Sequence, residues 1–208
     1  MEDVLDTYMK SYDQRHPLVC MDETTKQHVK ETRVAIPMKP GRSECYDHEY
    51  ERNGVSNLFM FFSPTEKWRQ VKVTDRRTKT DWAHAMKELA DERYPDADVI
   101  TVVMDNLNTH GPASFYQSFE PEEARRLSKR FDFHYTPKHG SWLNMAETEL
   151  STLSRQCLDR RIPNQQELKQ EVAAWEKERN KKYSTINWQF TTQKARIKLK
   201  RLYPTFHG

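Results

Sequence analysis

Hydrophobic positions along this chain gather into two short runs without helical spacing, Leu18-Val19-Cys20-Met21 and Val99-Ile100-Thr101-Val102-Val103-Met104. β-Branched and aliphatic runs of this kind fit strands buried on both faces of a sheet. Each is followed at once by a carboxylate, Asp22 or Asp105, which places an acid at the end of a rigid strand. Other stretches predict the elements around them. Residues 1–16, with Val4, Leu5, Met9 and Tyr12, read as a short amphipathic helix that stops before Pro17. Residues 26–54 carry Pro37, Pro40, Gly41 and Gly54 among many charges and predict an extended excursion with turns. Ser56 to Phe62 and Trp68 to Thr74 form a hairpin across the turn at 63–67. Trp82, Ala85, Met86, Leu89 and Ala90 give residues 79–93 a helical face, closed by Tyr94-Pro95. A helix over 113–129, a strand over Phe131–Tyr135 and helices over 142–160 and 165–183 complete the series.

Three antiparallel strands, then alternating helices and strands, then helices, is the element order of the ribonuclease H-like fold. The expected architecture is therefore α/β: a five-stranded mixed sheet flanked by helices, with a helical basic C-terminal extension. The expected organisation is a lead-in helix at 1–16, a body at 17–184 and a basic tail at 185–208.

At 208 residues, 31% charged and 36% hydrophobic, the chain has room for one sizeable α/β domain whose core rests on a few concentrated apolar segments. A net charge of +3 does not by itself indicate a polyanionic partner, but the charge is unevenly placed. Lys194, Arg196, Lys198, Lys200 and Arg201 form an acid-free basic stretch. Cys20, Cys45 and Cys157 show no paired spacing, which fits a reducing cytosol. No apolar run approaches the roughly 20 residues needed to cross a bilayer, and Met1-Glu2-Asp3 does not resemble a secretory signal. A soluble, cytoplasmic protein is expected.

In the expected fold the strands carrying Asp22 and Asp105 are neighbours, about 4.8 Å apart. Two ionised carboxylates at about 4 Å repel by roughly 4 kcal/mol at an effective dielectric near 20, so a positive group must compensate. Mg²⁺ or Mn²⁺ suits hard oxygen ligands and supports phosphodiester chemistry, particularly as a pair of ions. The third acid is ambiguous from periodicity, because Glu147 and Glu149 both flank the stripe of Trp142, Ala146, Leu150, Leu153 and Cys157. Other chemistries fit poorly. The five glycines form neither a GxGxxG nor a GxxxxGK[ST] loop, no GxSxG elbow is present, and the histidines lack zinc-finger spacing. His110 and His139 follow the motif strands closely enough to support the site from behind.

Three segments, Val19-Cys20-Met21-Asp22-Glu23-Thr24, Val103-Met104-Asp105-Asn106-Leu107-Asn108-Thr109-His110 and His139-Gly140-Ser141-Trp142-Leu143-Asn144-Met145-Ala146-Glu147, together resemble the DDE transposases of the IS630 group in the Tc1/mariner superfamily. The resemblance continues through Leu153-Ser154-Arg155-Gln156-Cys157-Leu158 and the ending Ile186-Asn187-Trp188-Gln189-Phe190-Thr191-Thr192. It implies a catalytic, metal-holding triad of Asp22, Asp105 and Glu147, since the family's third acid follows a Leu-Asn-x-x pattern, with Glu149 left as a solvated helix charge. The 41 residues between Asp105 and Glu147 are compatible with the family's variable second interval. It further implies two Mg²⁺ ions (or Mn²⁺), cleavage at transposon ends, transfer of the 3′-hydroxyl into target DNA, and a homodimer on DNA. Family members begin with helix-turn-helix modules, for which this chain has no room, so a separately encoded helix-turn-helix half is an expected partner. A remnant that binds DNA or a partner without transposing, or a stand-alone nuclease, would share the same residues. DNA contacts are expected from Lys138 and His139 near the site and from the basic tail. Trp142 and Trp188 are candidates for base stacking, although their spacing also fits core positions.

Overall fold

A computed structural model describes residues 1–33, 36–43, 45, 48–106 and 110–203, with the Leu202 side chain excepted. Five strands form one mixed sheet: β1 (Leu18–Glu31), β2 (Tyr50–Ser63), β3 (Trp68–Thr74), β4 (Ile100–Met104) and β5 (Phe131–Tyr135), in the order β3-β2-β1-β4-β5. β1, β2 and β3 are antiparallel, while β4 and β5 run parallel to β1. The ribonuclease H-like architecture read from element order is the observed one.

Alternate residues of the two central strands enter opposite cores, as the two-residue period of a strand requires. Leu18, Cys20, Met60 and Val103 pack with α1 (Glu2–Tyr8), α5 (Met145–Leu153) and α6 (Gln165–Lys181) through Val4, Leu150 and Val172. Val19, Met21, Phe59 and Val102 pack beneath α2 (Lys79–Glu88), α3 (Pro112–Ser118) and α4 (Pro121–Arg130) through Trp82, Phe115 and Leu127. The 18–21 and 99–104 runs, apolar at every position but Thr101, thus follow from helices covering both faces.

Several boundaries differ from the sequence reading, each for a physical reason. The N-terminal helix ends at Tyr8 rather than near Pro17. β1 does not end at Asp22 but continues to Glu31, because β2 keeps pairing with it after β4 has left. The expected excursion thus begins and ends in a two-stranded ribbon, residues 26–31 pairing with the start of β2. The helix expected over 113–129 is two, broken where Phe119 and Glu120 turn extended ahead of Pro121. After α5 the chain widens into a π-helical stretch, Ser154–Leu158, before α6. The C-terminal segment carries α7 (Thr192–Lys198), which packs against α1. Among the described residues, no helix is long and apolar enough to cross a membrane.

Candidate active site

The parallel pairing of β1 with β4 reaches Cys20↔Val103 and stops. β4 ends at Met104 with Asp105 next, whereas β1 runs on along β2 with Asp22 opposite Met60. The site opens where the two strands part, at the carboxyl end of β4, the usual place for a ligand on an open α/β sheet. The Asp22 carboxylate accepts the Glu23 amide at 2.8 Å.

Glu147 arrives from the other side on the third residue of α5. Asn144 caps that helix, its side-chain oxygen accepting the Ala146 amide at 3.1 Å. The same Asn144 side chain donates to the Met21 carbonyl at 2.8 Å, so one buried amide fixes the helix start to the residue preceding Asp22. This is the physical content of the Leu143-Asn144 pair: Leu143 is in the core and Asn144 is cap and tether. The sequence reading did not identify Asn144 as a site residue, yet Asn144-x-x-Glu147 ahead of an apolar stripe carries the capping signal that could have found it. The preceding turn is tight. His139 has a φ of +64°, and a Cβ on Gly140 would lie 2.6 Å from the Pro137 ring.

Asp22, Asp105 and Glu147 line one open cleft of about 390 Å³ with Glu23, Ser141 and Ser154. Among the described residues no three His, Cys, Asp or Glu side chains converge into a ready-made metal cage, so the carboxylates border the cleft without closing on a point. Their electrostatics nonetheless suit a hard cation. Burial pushes Asp22 up to about 7; the Glu23 amide opposes this, and the nearby charges of Asp105, Glu147 and Glu23 add to it. Divalent oxygen-preferring ions offset such a deficit, and the donor set fits them.

A stability consequence follows from the sign of that shift. Because the folded-state value lies above the ordinary carboxylate value, the proton's contribution to stability is full below about pH 4 and is lost as pH rises through about 7. At pH 8 the metal-free protein carries a desolvated charge that Asp22→Asn removes. That variant should melt about 2–8 °C higher at pH 8, equivalent to about 1–2 kcal/mol after allowance for solvent screening. Thermal melts at pH 8 and pH 5 check this, with the gain expected to shrink at pH 5.

The family model described as "DDE superfamily endonuclease" matches residues 17–169, most of the chain and all of the cleft. The chain belongs to this superfamily. Solved structures share the fold of this DDE endonuclease domain. They include the Mos1 strand transfer complex (TM-score 0.56, 12% identity, covering 83% of this chain and 50% of that one). The Mos1 mariner paired end complex with Mn is similar at a TM-score of 0.55 and 14% identity, covering 86% of this chain and 53% of that one. A pre-cleavage Mos1 transpososome gives a TM-score of 0.55 and 12% identity, with coverage of 86% and 58%. This chain therefore spans about half the length of those relatives. No curated protein sequence matches it.

The other candidates lie around this cleft or away from it. Glu149, expected to be solvated, is instead 1% exposed and faces away from it. Its carboxylate takes two bonds from Arg179, at 2.8 and 3.1 Å, and lies 3.2 Å from Nε of the fully buried Arg69. Two residues on a helix are about 200° apart, so Glu147 can face the cleft while Glu149 enters the core. His110 is buried, stacked on Trp82 at 5.5 Å, with Nε2 3.0 Å from Glu23 Oε2. Lys138 and His139 are exposed and line a second cavity that shares Asp105 and Ser141 with the cleft. The tail cations are not at the cleft. Arg196 is paired with Glu2 at 2.7 Å, Lys194 donates to the Gln189 carbonyl at 2.9 Å, and Lys198, Lys200 and Arg201 are exposed on the far extension. Trp142 is 46% exposed with its edge on Phe190, whereas Trp188 packs against Tyr8. Leu107, Asn108 and Thr109 of the second motif lie outside the described residues.

Proposed function

We propose that this chain is the catalytic domain of an IS630-like, Tc1/mariner-type transposase, with Asp22, Asp105 and Glu147 as its metal-holding catalytic triad. The reading is carried by one observation: three carboxylates from β1, the end of β4 and the start of α5 line a single cleft. Asp22 lies within β1, Asp105 follows the last residue of β4, and Glu147 is aimed by the Asn144 cap. When bound, two Mg²⁺ or Mn²⁺ ions supply Lewis-acid activation of the attacking oxygen and stabilisation of the leaving one in an in-line phosphoryl displacement. The chain's own part is to hold those ions' oxygen ligands at fixed separation and to present Lys138 and His139 at the rim to the phosphate backbone. The attacking group is water in the cleavage step and the freed 3′-hydroxyl in the joining step. Lys194, Arg196, Lys198, Lys200 and Arg201 add sequence-independent phosphate contacts farther out. A homodimer pairs two ends in the cytoplasm, at the nucleoid.

The experiment is strand cleavage and joining on a labelled transposon-end duplex with Mg²⁺ or Mn²⁺. Cleavage followed by joining, both abolished by EDTA, is expected. Metal-dependent cutting without joining would support a stand-alone nuclease instead, and no metal-dependent cutting would overturn the proposal.

A further inference from the structure

The cleft does not end at the carboxylates. Through Ser154 it adjoins a cavity of about 260 Å³ lined by Thr25, Lys26, Arg155 and Asp159. Through Asp159 that cavity adjoins a third, of about 710 Å³, lined by Lys30, Glu31, Arg160 and Arg161. The three follow one another along the outer half of β1 and the 154–161 segment after α5, each sharing one lining residue with the next, a series we call the groove. Beyond the carboxylate cleft its walls carry five basic residues against two acidic ones, the reverse of the catalytic end.

The groove is firmly built. Val29 donates its amide to the Ile162 carbonyl at 2.9 Å, and the Lys26 ammonium bridges the Leu158 and Arg160 carbonyls, the latter at 2.8 Å. Arg161 pairs with Glu31 at 2.6 Å, and Arg160 pairs with Glu171. Lys30 and Arg155 differ from these. Both are exposed and make no hydrogen bond or ion pair among the described residues, although they stand along a groove that ends at the proposed catalytic triad. From Thr24 to Lys30 the strand rises about 20 Å, the length of about six base pairs of duplex.

We propose that this groove is a track for the sugar–phosphate backbone of the duplex arm leading to the scissile phosphate, with Lys30 and Arg155 as its free phosphate contacts. The inference rests on the proposed function for the identity of the polyanion and deepens it by assigning the path. Unpaired cations strung along a fixed groove, in line with the carboxylate cleft, match a regularly charged polymer better than an acidic peptide, whose charges have no fixed spacing. The track is separate from the basic tail, none of whose cations lines the groove.

The test measures binding of a labelled 20-base-pair duplex as a function of salt. It compares full-length Asp105→Asn protein with the same protein also carrying Lys30→Ala and Arg155→Ala. Removing two phosphate contacts should reduce the slope of log K against log salt by about 2 and weaken binding about tenfold or more at low salt. An unchanged slope and affinity in the groove variant overturns the track. So does absence of salt-dependent duplex binding by the parent at 50 mM salt, or loss of binding to a poly-glutamate peptide with duplex binding intact. Binding is read without cleavage, so failure of metal-dependent cutting with the groove effect present would count against the proposed chemistry and leave the track standing.

Discussion

Asp105→Asn and Glu147→Gln should each lower metal-dependent strand cleavage by on the order of 10³-fold or more, with melting temperatures within about 4 °C of the parent. The two changes keep side-chain shape nearly constant and remove one anionic oxygen from the cleft. Phosphoryl displacement derives little from covalent chemistry by the protein and nearly everything from positioned charge, so losing one of three ligands is felt in full at the transition state. Stability should barely respond, because Glu147 is exposed and Asp105 follows the end of β4 rather than lying within it. Cleavage rates measured beside thermal melts separate the two effects. A rate within about tenfold of the parent for Glu147→Gln would remove that glutamate from the triad.

The largest stability effect should come from the glutamate two residues on. Glu149→Gln leaves the Arg69 guanidinium, fully buried, without its carboxylate and weakens the two bonds from Arg179. Apart from Glu149, the Arg69 guanidinium hydrogen-bonds only neutral groups among the described residues, Asn180 Oδ1 at 3.1 Å and the Ser184 carbonyl, with the Glu176 carboxylate acting on it through charge alone. Breaking a buried pair from one side costs about 3–5 kcal/mol, so the melting temperature should fall by roughly 10 °C. Because the cluster joins α5, β3 and α6, its loss also loosens the helix that carries Glu147. A double variant, Arg69→Met with Glu149→Leu, removes both buried charges and should recover much of the lost stability. A fall below about 2 °C for Glu149→Gln would show that the cluster does not hold α5. The two glutamates therefore give opposite signatures, activity at 147 and stability at 149.

The sequence made the sheet centre legible because two helical layers cover it, so residues 18–21 and 99–104 are apolar at every position but Thr101. It concealed the outer half of β1 for the opposite reason. From Thr24 onward the strand has only β2 beside it and is half exposed, and its Thr, Lys, Gln and Glu residues resemble a loop. Asp22 therefore looked like a strand end when it marks the point where β4 departs. Glu147 and Glu149 were indistinguishable by helical period, because what buries Glu149 is Arg69 and Arg179, residues that only the folded chain brings to it. Asn144 was legible in principle as a cap, but its bond to the Met21 carbonyl is a tertiary fact. The groove cations were the least legible. Lys30 and Arg155 are far apart in sequence and lie in mixed-charge surroundings, whereas the tail stood out as a run and proves to be docked on α1 through Arg196 and Glu2.

The proposed function requires that Asp22, Asp105 and Glu147 jointly hold catalytic metal. Anomalous diffraction from crystals of the full chain grown with Mn²⁺ tests it most directly. At least one anomalous peak is expected in the cleft, bonded to carboxylate oxygens of Asp22, Asp105 and Glu147 at about 2.0–2.2 Å, and absent from Asp105→Asn crystals. A cleft without a peak at saturating Mn²⁺, or a peak bonded to other side chains while these three stay apart, would contradict it.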